Sequence, residues 1–375
     1  MKMIDPEPWN RTTYCIMGVP IDDIELETVV DEMRSAASER RSLFLSTANL
    51  NFLALSQQDR EFKYSLRKSD LCLADGVAVV MIARLLGAEI RERVAGSDLI
   101  ETLQATHDPE KKQQPIRTYI FGGTEGTAEI AKRVIAQDPR QGVLCVGQKY
   151  PGFGSVEEMS SDQTICDIND TNPDFVFVAL GAQKGQAWIV RNRDALTAPI
   201  VSHLGATVNF IAGTVKRAPK RWQALGLEWA WRIRSEPNLA RRYFDDSVLA
   251  LNHLMFRGIP LIVWSWWNRK RRQGESLLTS WQCNPNDETL EIRLEGGGSV
   301  QNHSQFSAIV PVAVEQGKRV CLDASRVTWI DLRGMGQILL LWKALDDRGK
   351  ALTIKGLSGF VRRSFFWNGL GDLID

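Results

Sequence analysis

Short apolar runs alternate with amphipathic stretches from Ile21 to Gly213. Ile21, Ile24, Val29, Met33 and Ala37 recur at near-helical spacing within Ile21–Arg41, and Asp22 or Asp23 can cap the start. The run Leu43–Ser46 predicts a strand, Thr47-Ala48-Asn49 a loop, and Phe52–Lys68 a helix. Leu71–Ala74 is a second buried strand, ending at Asp75-Gly76 before an apolar helix over Val77–Leu86. Thr118–Phe121 predicts a strand that ends in Gly122-Gly123-Thr124, before a helix from about Glu125 to Gln137. Val143–Val146, Phe175–Leu180 and Ile200–Leu204 read as strands, the last two stopping at Gly181 and Gly205. Apolar strands alternating with helices predict a parallel sheet covered on both faces, with ligands beyond the carboxyl ends of its strands.

The texture changes at Thr214. Thirteen basic and four acidic residues fall between Thr214 and Arg272, and six of the twelve tryptophans lie between Trp222 and Trp267. Beyond a linker, alternating Leu290–Leu294, a strand at Arg319–Asp323, a helix at Gly334–Leu345, a strand at Ala351–Ile354 and a helix at Gly359–Phe366 predict a further small α/β unit. The expected organisation is therefore a Rossmann-like domain over 1–213, a basic Trp-rich appendage over 214–273, a linker over 274–287 and a small α/β domain over 288–375. With 375 residues, 44% apolar and 24% charged, the chain is no disordered or fibrous protein. A net charge of +1 argues against a wholly basic nucleic-acid binder. The six cysteines show no CxxC spacing and the four histidines form no metal motif, so neither a disulfide framework nor a zinc site is expected. Met1–Asn10 does not read as a signal peptide, and the ten-residue apolar run Gly258–Trp267 is too short to span a bilayer, which takes about 20 residues.

Several segments offer chemistry. Asp75, at a strand end beside a glycine, can act as a general base toward a sugar hydroxyl, or can simply cap the next helix. Arg93, in Glu92-Arg93-Val94-Ala95-Gly96-Ser97-Asp98, can clamp a diphosphate or pair with Glu92. Phe121-Gly122-Gly123-Thr124-Glu125-Gly126 could present backbone N–H groups to a phosphate, but it lacks both the GxGxxG fingerprint and the Walker lysine.

Taken in order, Thr47-Ala48-Asn49, Ala74-Asp75-Gly76, Glu92–Leu99, Gly122-Gly123-Thr124, Gly181–Gln186, Val215–Lys220 and Leu225–Trp229 resemble the WecG/TagA/CpsF glycosyltransferases over about Asp22–Phe244. The resemblance implies an inverting transferase with no clear metal requirement and no cofactor. It would move an N-acetylmannosamine-type or uronic sugar from a UDP-sugar to a polyprenyl-diphosphate-linked sugar, in cell-surface polysaccharide or exopolysaccharide assembly. By the same resemblance Asp75 matches the proposed base, Thr47 the threonine beside it, and Arg93 the arginine near the donor diphosphate. Asn49, Asp98, Gly122, Gly123, Gly181, Gln183, Lys184 and Gln186 are expected to position substrate. One departure stands out: Gly181-Ala182-Gln183-Lys184-Gly185-Gln186 replaces the family's Gly-x-Pro-Lys-Gln-Glu. The basic stretch matches the family's membrane-facing appendage, where Arg217, Arg232, Arg241 and Arg242 are candidates for the acceptor diphosphate. Interfacial tryptophans and basic side chains suit peripheral attachment to the inner face of the cell membrane, with the chain in the cytoplasm. A basic helix packed on the core is the plainer reading, and nucleic acid is not an expected partner.

Val320–Gly336, with Lys355–Ser358 and Asn368-Gly369-Leu370, resembles a STAS domain. Leu332 and Arg333 follow Asp331, where regulatory members carry a phosphorylated hydroxyl, so phosphoswitching there is ruled out. The expected role is a module that docks on a partner protein, or else a stabilising or dimerising extension with no regulatory role. The rival to an enzyme is a non-catalytic scaffold or regulator acting through the STAS-like domain, on a retired transferase fold.

Overall fold

The computed structural model describes residues 11–108, 113–219, 222, 228–235, 239–271, 277–282, 289–299, 309, 311–313, 315 and 319–374. An eight-stranded sheet runs in the order β1-β2-β4-β3-β8-β7-β5-β6. Its strands are β1 (Thr13–Ile16), β2 (Val19–Asp22), β3 (Leu43–Ala48), β4 (Leu71–Ala74), β5 (Ile116–Gly122), β6 (Val143–Lys149), β7 (Phe175–Ala179) and β8 (Ile200–His203). All pairings are parallel except the β1–β2 hairpin. The helices are α1 (Leu26–Glu39), α2 (Leu50–Gln58), α3 (Arg60–Arg67), α4 (Val77–Leu86), α5 (Gly96–Ala105), α6 (Thr127–Gln137), α7 (Asp162–Asp170), α8 (Ala182–Asn192) and α9 (Thr207–Ile211). After β3 the chain adds β4 on one side and later elements on the other. The crevice between β3 and β8 is thus the topological switch point, where doubly wound sheets bind ligands.

Local chemistry moves some predicted boundaries. Ile21 belongs to β2, where it pairs with Tyr14, and α1 starts only at Leu26. Asp22 caps no helix: buried, it accepts from the Thr13 hydroxyl (2.5 Å) and the Cys72 N–H (2.8 Å) and pairs with Arg11 (2.9 Å). The helix expected over Phe52–Lys68 breaks at Asp59, whose carboxylate accepts from Glu61 N–H (2.9 Å) and Phe62 N–H (3.0 Å) and so starts α3.

The appendage contains α10 (Glu228–Ser235), α11 (Leu239–His253), a π-helical turn at Leu254–Gly258 and α12 (Ile259–Arg271). Pro260 lacks the N–H that would continue the α ladder, a cause of such local rewinding. The stretch Phe244–Asn268, 25 residues, is long and apolar enough to cross a membrane by length and composition, unlike the ten-residue run seen in the sequence. Its Ala250, Gly258, Leu261 and Asn268 are nevertheless buried, and Leu261 joins the apolar cluster of Ile16, Val80 and Leu86. One face of the helix is thus committed to the protein.

The C-terminal sheet, ordered β12-β11-β10-β9, comprises β9 (Leu277–Gln282), β10 (Thr289–Gly298), β11 (Arg319–Ile330) and β12 (Leu352–Lys355), with α13 (Leu332–Asp346) and α14 (Gly359–Trp367). The expected linker over 274–287 is corrected in part: β9 pairs antiparallel with β10 and edges the sheet. Polar Thr279, Ser280 and Gln282 disguise it, since an edge strand needs few apolar residues.

The two units share a core. Helix α13 lies on β1, and a Cβ added at Gly336 would sit 2.1 Å from the Thr13 carbonyl oxygen. Leu332 packs among Tyr14, Ile16 and Ile21, and Cys15 packs into the C-terminal core. Asn368, buried, accepts from Met17 N–H (2.9 Å) and donates to the Cys15 carbonyl (2.8 Å). Buried Arg67 donates to Gly18 O (2.9 Å), Gly369 O (3.2 Å) and Asp372 (2.5 and 3.1 Å). Leu332, the residue after Asp331, is thus buried against the large sheet, and this face of α13 is covered by β1.

Candidate active site

The cleft at the switch point measures about 890 Å³ and is walled by the ends of β3, β4 and β8, by α4, α5 and α9, and by the appendage. Thr47 lies near the end of β3. Asn49, just beyond, caps α2 by accepting from Phe52 N–H (3.1 Å) and also lines the cleft. Asp75 follows β4, with its N–H bonded to Ala48 O (2.9 Å). It does not cap α4. The cap residue is Gly76, whose φ of +98° suits glycine, and no side chain bonds to that helix start. The Asp75 carboxyl is left to face the cleft.

Its electrostatics follow from its neighbours. Burial disfavours the carboxylate, Arg93 favours it, and Glu228 and Asp98 oppose it again, so its pKa is raised to about 7. Arg93 does not pair with Glu92, which accepts from Leu26 N–H (3.0 Å). It bridges Asp98 (2.8 Å) and Glu228 (2.9 Å) instead. Asp98 also receives Arg217, whose other nitrogen reaches Glu101 (3.0 Å). This ladder of alternating charges sews the appendage, through Arg217 and Glu228, to the loop and first turn of α5.

Arg217 and Arg232 both line the cleft, the latter with its guanidinium 5.7 Å from the Phe210 ring. Arg241 does not: it is almost fully exposed and lies 4.0 Å from Asp245. The side chain of Arg242 lies outside the described residues.

The expected substrate-positioning group divides. Asn49 lines the cleft, and Asp98 sits behind it on Arg93 and Arg217. Gly122, Gly123, Gly181, Gln183, Lys184 and Gln186 are absent from the cleft lining among the described residues. Gly123 N–H bonds to Ala179 O (2.7 Å), tying β5 to β7. Gln183 donates to Asp59 (2.9 Å), Lys184 to Gly154 O (2.7 Å), and fully buried Gln186 to Ser46 (2.9 Å). These residues brace the sheet and its flanking loops. The departure at Gly185 has a steric partner: a Cβ there would lie 2.1 Å from the His203 ring.

His203 is a cleft residue that sequence reasoning passed over. It ends β8 and shares a hydrogen bond with Leu180 O (2.7 Å), and burial lowers its pKa. The rule that singled out Thr47 and Asp75, a polar group at a strand's carboxyl end, would have found it. Asp246 had no such signal. It reaches the cleft from α11, where Asn51, with its amide nitrogen toward Asp246, donates to both carboxylate oxygens at 3.2 Å. No group of three or more His, Cys, Asp or Glu is placed to hold a metal ion among the described residues.

Known proteins show the same division. Residues 14–267 match the family described as Glycosyl transferase WecG/TagA/CpsF, and residues 281–375 match the STAS domain family described as Mlab. An N-acetylglucosaminyldiphosphoundecaprenol N-acetyl-beta-D-mannosaminyltransferase of Bacillus spizizenii is 30% identical over 226 residues, which are 59% of this chain and 82% of that protein. The proteins of the same name from Bacillus subtilis and Staphylococcus aureus are 27% and 23% identical, covering 64% and 60% of this chain and 91% and 85% of theirs. The phosphorylated form of the Bacillus cell-fate determinant SpoIIAA, at 23% identity, covers 26% of this chain and 89% of its own with a TM-score of 0.22. The cleft, with Thr47 and Asp75 in its wall and Arg93 outside its lining on Asp98 and Glu228, lies inside the first matched region, and the chain belongs to the WecG/TagA/CpsF family of glycosyltransferases, with a STAS domain joined at its C-terminal side.

Proposed function

We propose that the chain transfers an N-acetylmannosamine-type or uronic sugar from a UDP-sugar to a polyprenyl-diphosphate-linked sugar, with inversion, in cell-surface polysaccharide or exopolysaccharide assembly. The observation that carries this reading is Asp75, a cleft carboxyl with its pKa raised to about 7 beside Arg93. A base works best when its pKa lies near the working pH. In this reading Asp75 takes the proton of the acceptor hydroxyl as that oxygen bonds to the anomeric carbon. The bond from that carbon to the donor phosphate oxygen breaks on the opposite face, and its electron pair leaves with UDP. The transition state carries oxocarbenium character, and charge gathers on the departing diphosphate.

Arg93, Arg217 and Arg232 are the side chains assigned to that charge and to the acceptor's diphosphate, so the reading calls for no metal. Thr47, near the end of the strand beside Asp75, is assigned to orienting the attacking hydroxyl. The exposed apolar and basic appendage would hold the enzyme on the inner face of the cell membrane, where a lipid-linked acceptor resides. Any protein partner of the STAS domain would meet it elsewhere than on α13, because Leu332 and Gly336 are taken up by the transferase. The scaffold reading rests on the Gly185-Gln186 departure; Gly185 packs against His203 and Gln186 bonds to Ser46, while Thr47 and Asp75 keep their places in the cleft.

The test is UDP release by the purified chain, offered a panel of UDP-sugars with and without a polyprenyl-diphosphate-linked sugar. Release that requires both one donor and the acceptor supports the proposal. Release unaffected by the acceptor, or none across the panel from folded chain, overturns it.

A further inference from the structure

We propose that helix α14 of the STAS domain is a second membrane-contact element, continuous with the appendage, and that the surface it meets is an anionic lipid bilayer. The inference rests on the reading that the appendage lies on a membrane. It adds that the C-terminal domain shares the footing.

Helix α14 has the sequence Gly-Phe-Val-Arg-Arg-Ser-Phe-Phe-Trp. Val361, Ser364 and Phe365 face the domain core, as expected of an ordinary amphipathic helix. The other face is not ordinary. Phe360 and Phe366 are 53% and 56% exposed, with exposed Arg362 and Arg363 between them. Two outward phenylalanines on one short helix are significant here because they adjoin further exposed aromatic residues, and contiguous exposed apolar surface marks a contact site.

This face joins that of the appendage. The Phe360 ring stacks on Trp264 of α12 with centroids 4.8 Å apart and planes 12° apart. The Arg257 guanidinium sits 4.9 Å from the centre of the Phe366 ring. Beyond these contacts the appendage shows Phe256, 78% exposed, and Trp266, 62% exposed. Met81 and Phe244, both exposed, border the cleft, so the apolar surface reaches the mouth through which a lipid-linked acceptor would enter.

Charge selects the occupant. Neither the π turn, nor α12, nor α14 contains an acidic residue, whereas all three carry arginine. Aromatic rings among arginines, with no acids between them, complement a negatively charged interface, which takes rings at headgroup depth and cations at its phosphates.

The experiment is co-sedimentation of the full chain with vesicles of phosphatidylcholine alone or mixed with phosphatidylglycerol. The wild type should bind the anionic vesicles more tightly. A Phe360→Ser, Phe366→Ser double variant should lose about tenfold in partitioning, and Arg362→Gln with Arg363→Gln should lose roughly as much from the anionic preference. A Phe256→Ser, Trp266→Ser variant serves as the appendage control. Unchanged melting, and unchanged UDP release with a short-chain, water-soluble acceptor, would show the α14 variants intact. If the appendage control loses binding while the α14 variants bind as wild type, α14 is no footing and only this inference falls. If the wild type binds neither vesicle, the inference and the membrane part of the proposed function fall together, while the UDP-release assay still judges the transferase. If the phenylalanine variants dissociate a dimer and leave vesicle binding unchanged, the face joins two copies of the chain and the inference is overturned.

Discussion

Strand β4 is bracketed by two aspartates with opposite fates. Asp70, just before it, accepts from Phe44 N–H (2.7 Å) and pairs with Lys343 (2.7 Å) and Arg193 (3.4 Å). Burial opposes its charge, but the two cations outweigh burial and its pKa is lowered. Asp75, just after the strand, has Arg93 near it, but Arg93 is already engaged by Asp98 and Glu228, and the Asp75 pKa rises to about 7. Burial is common to both. What separates them is direct contact: Lys343, though it also holds Asp347, bonds to Asp70, whereas the ion pairs of Arg93 go to Asp98 and Glu228. The amino end of the strand holds a satisfied structural charge, and the carboxyl end holds one kept poised.

The largest effect should come from Asp75→Asn, which keeps the shape and removes the base. Acceptor-dependent UDP release should fall by about 10²–10⁴-fold, with the melting transition retained. Residual activity above a tenth of wild type would remove Asp75 from the role of base. On the seam side, Arg67→Ala strips three partners of their donor and should cost about 3 kcal/mol in urea unfolding, with turnover per folded molecule unchanged. Asp70→Asn should cost less, about 2 kcal/mol, because Lys343 keeps Asp347 at 2.8 Å. Equal losses would mean that the seam does not depend on its cations as described.

The pH profile sharpens the contrast. A base with a pKa of about 7 requires kcat/KM to rise roughly tenfold from pH 6 to pH 8, a limb absent from any residual Asp75→Asn activity. The two aspartates also differ in the sign of their effect on stability across pH. A carboxyl raised on folding binds its proton more tightly in the native state, so Asp75 burdens the fold increasingly as pH climbs from about 4 through 7. Asp75→Asn should therefore raise the melting midpoint at pH 8 and leave it unchanged at pH 3. Asp70, lowered on folding, contributes above the ordinary carboxyl pKa and loses that contribution as pH falls through its lowered folded value, so Asp70→Asn should destabilise at pH 8 and hardly at all in strong acid.

Sequence made the central sheet legible because its strands are buried on both faces. Runs such as Phe175–Ala179 announce themselves, and their carboxyl ends point to the cleft. It was poor at what long-range contact decides. The β1–β2 hairpin went unpredicted: Thr13–Ile16 is short, and its burial comes from α13 and Asn368, far along the chain. Gln186 looked like a binding residue from its motif, yet it is sealed against Ser46. Asp246 and the ladder from Arg217 to Glu228 exist only once the appendage folds back, which no local spacing encodes. Asp75 was visible as a residue and ambiguous as a role. Whether an aspartate at a strand end caps a helix or faces a ligand depends on which residue takes the cap, and here Gly76 takes it.

The close approach of Gly336 to Thr13 bears on how this chain can be cut. Strand β1 ends the large sheet with its open side beneath α13, so the STAS domain covers an edge that would otherwise invite another strand. A fragment ending before β9 would expose that edge, together with Cys15 and the floor beneath Leu332. It should behave as an aggregating remnant rather than a minimal enzyme, and heating the intact chain should melt both domains in one step. In this protein the junction between the glycosyltransferase and STAS regions joins two parts of one core, and it is no place to divide the folded molecule.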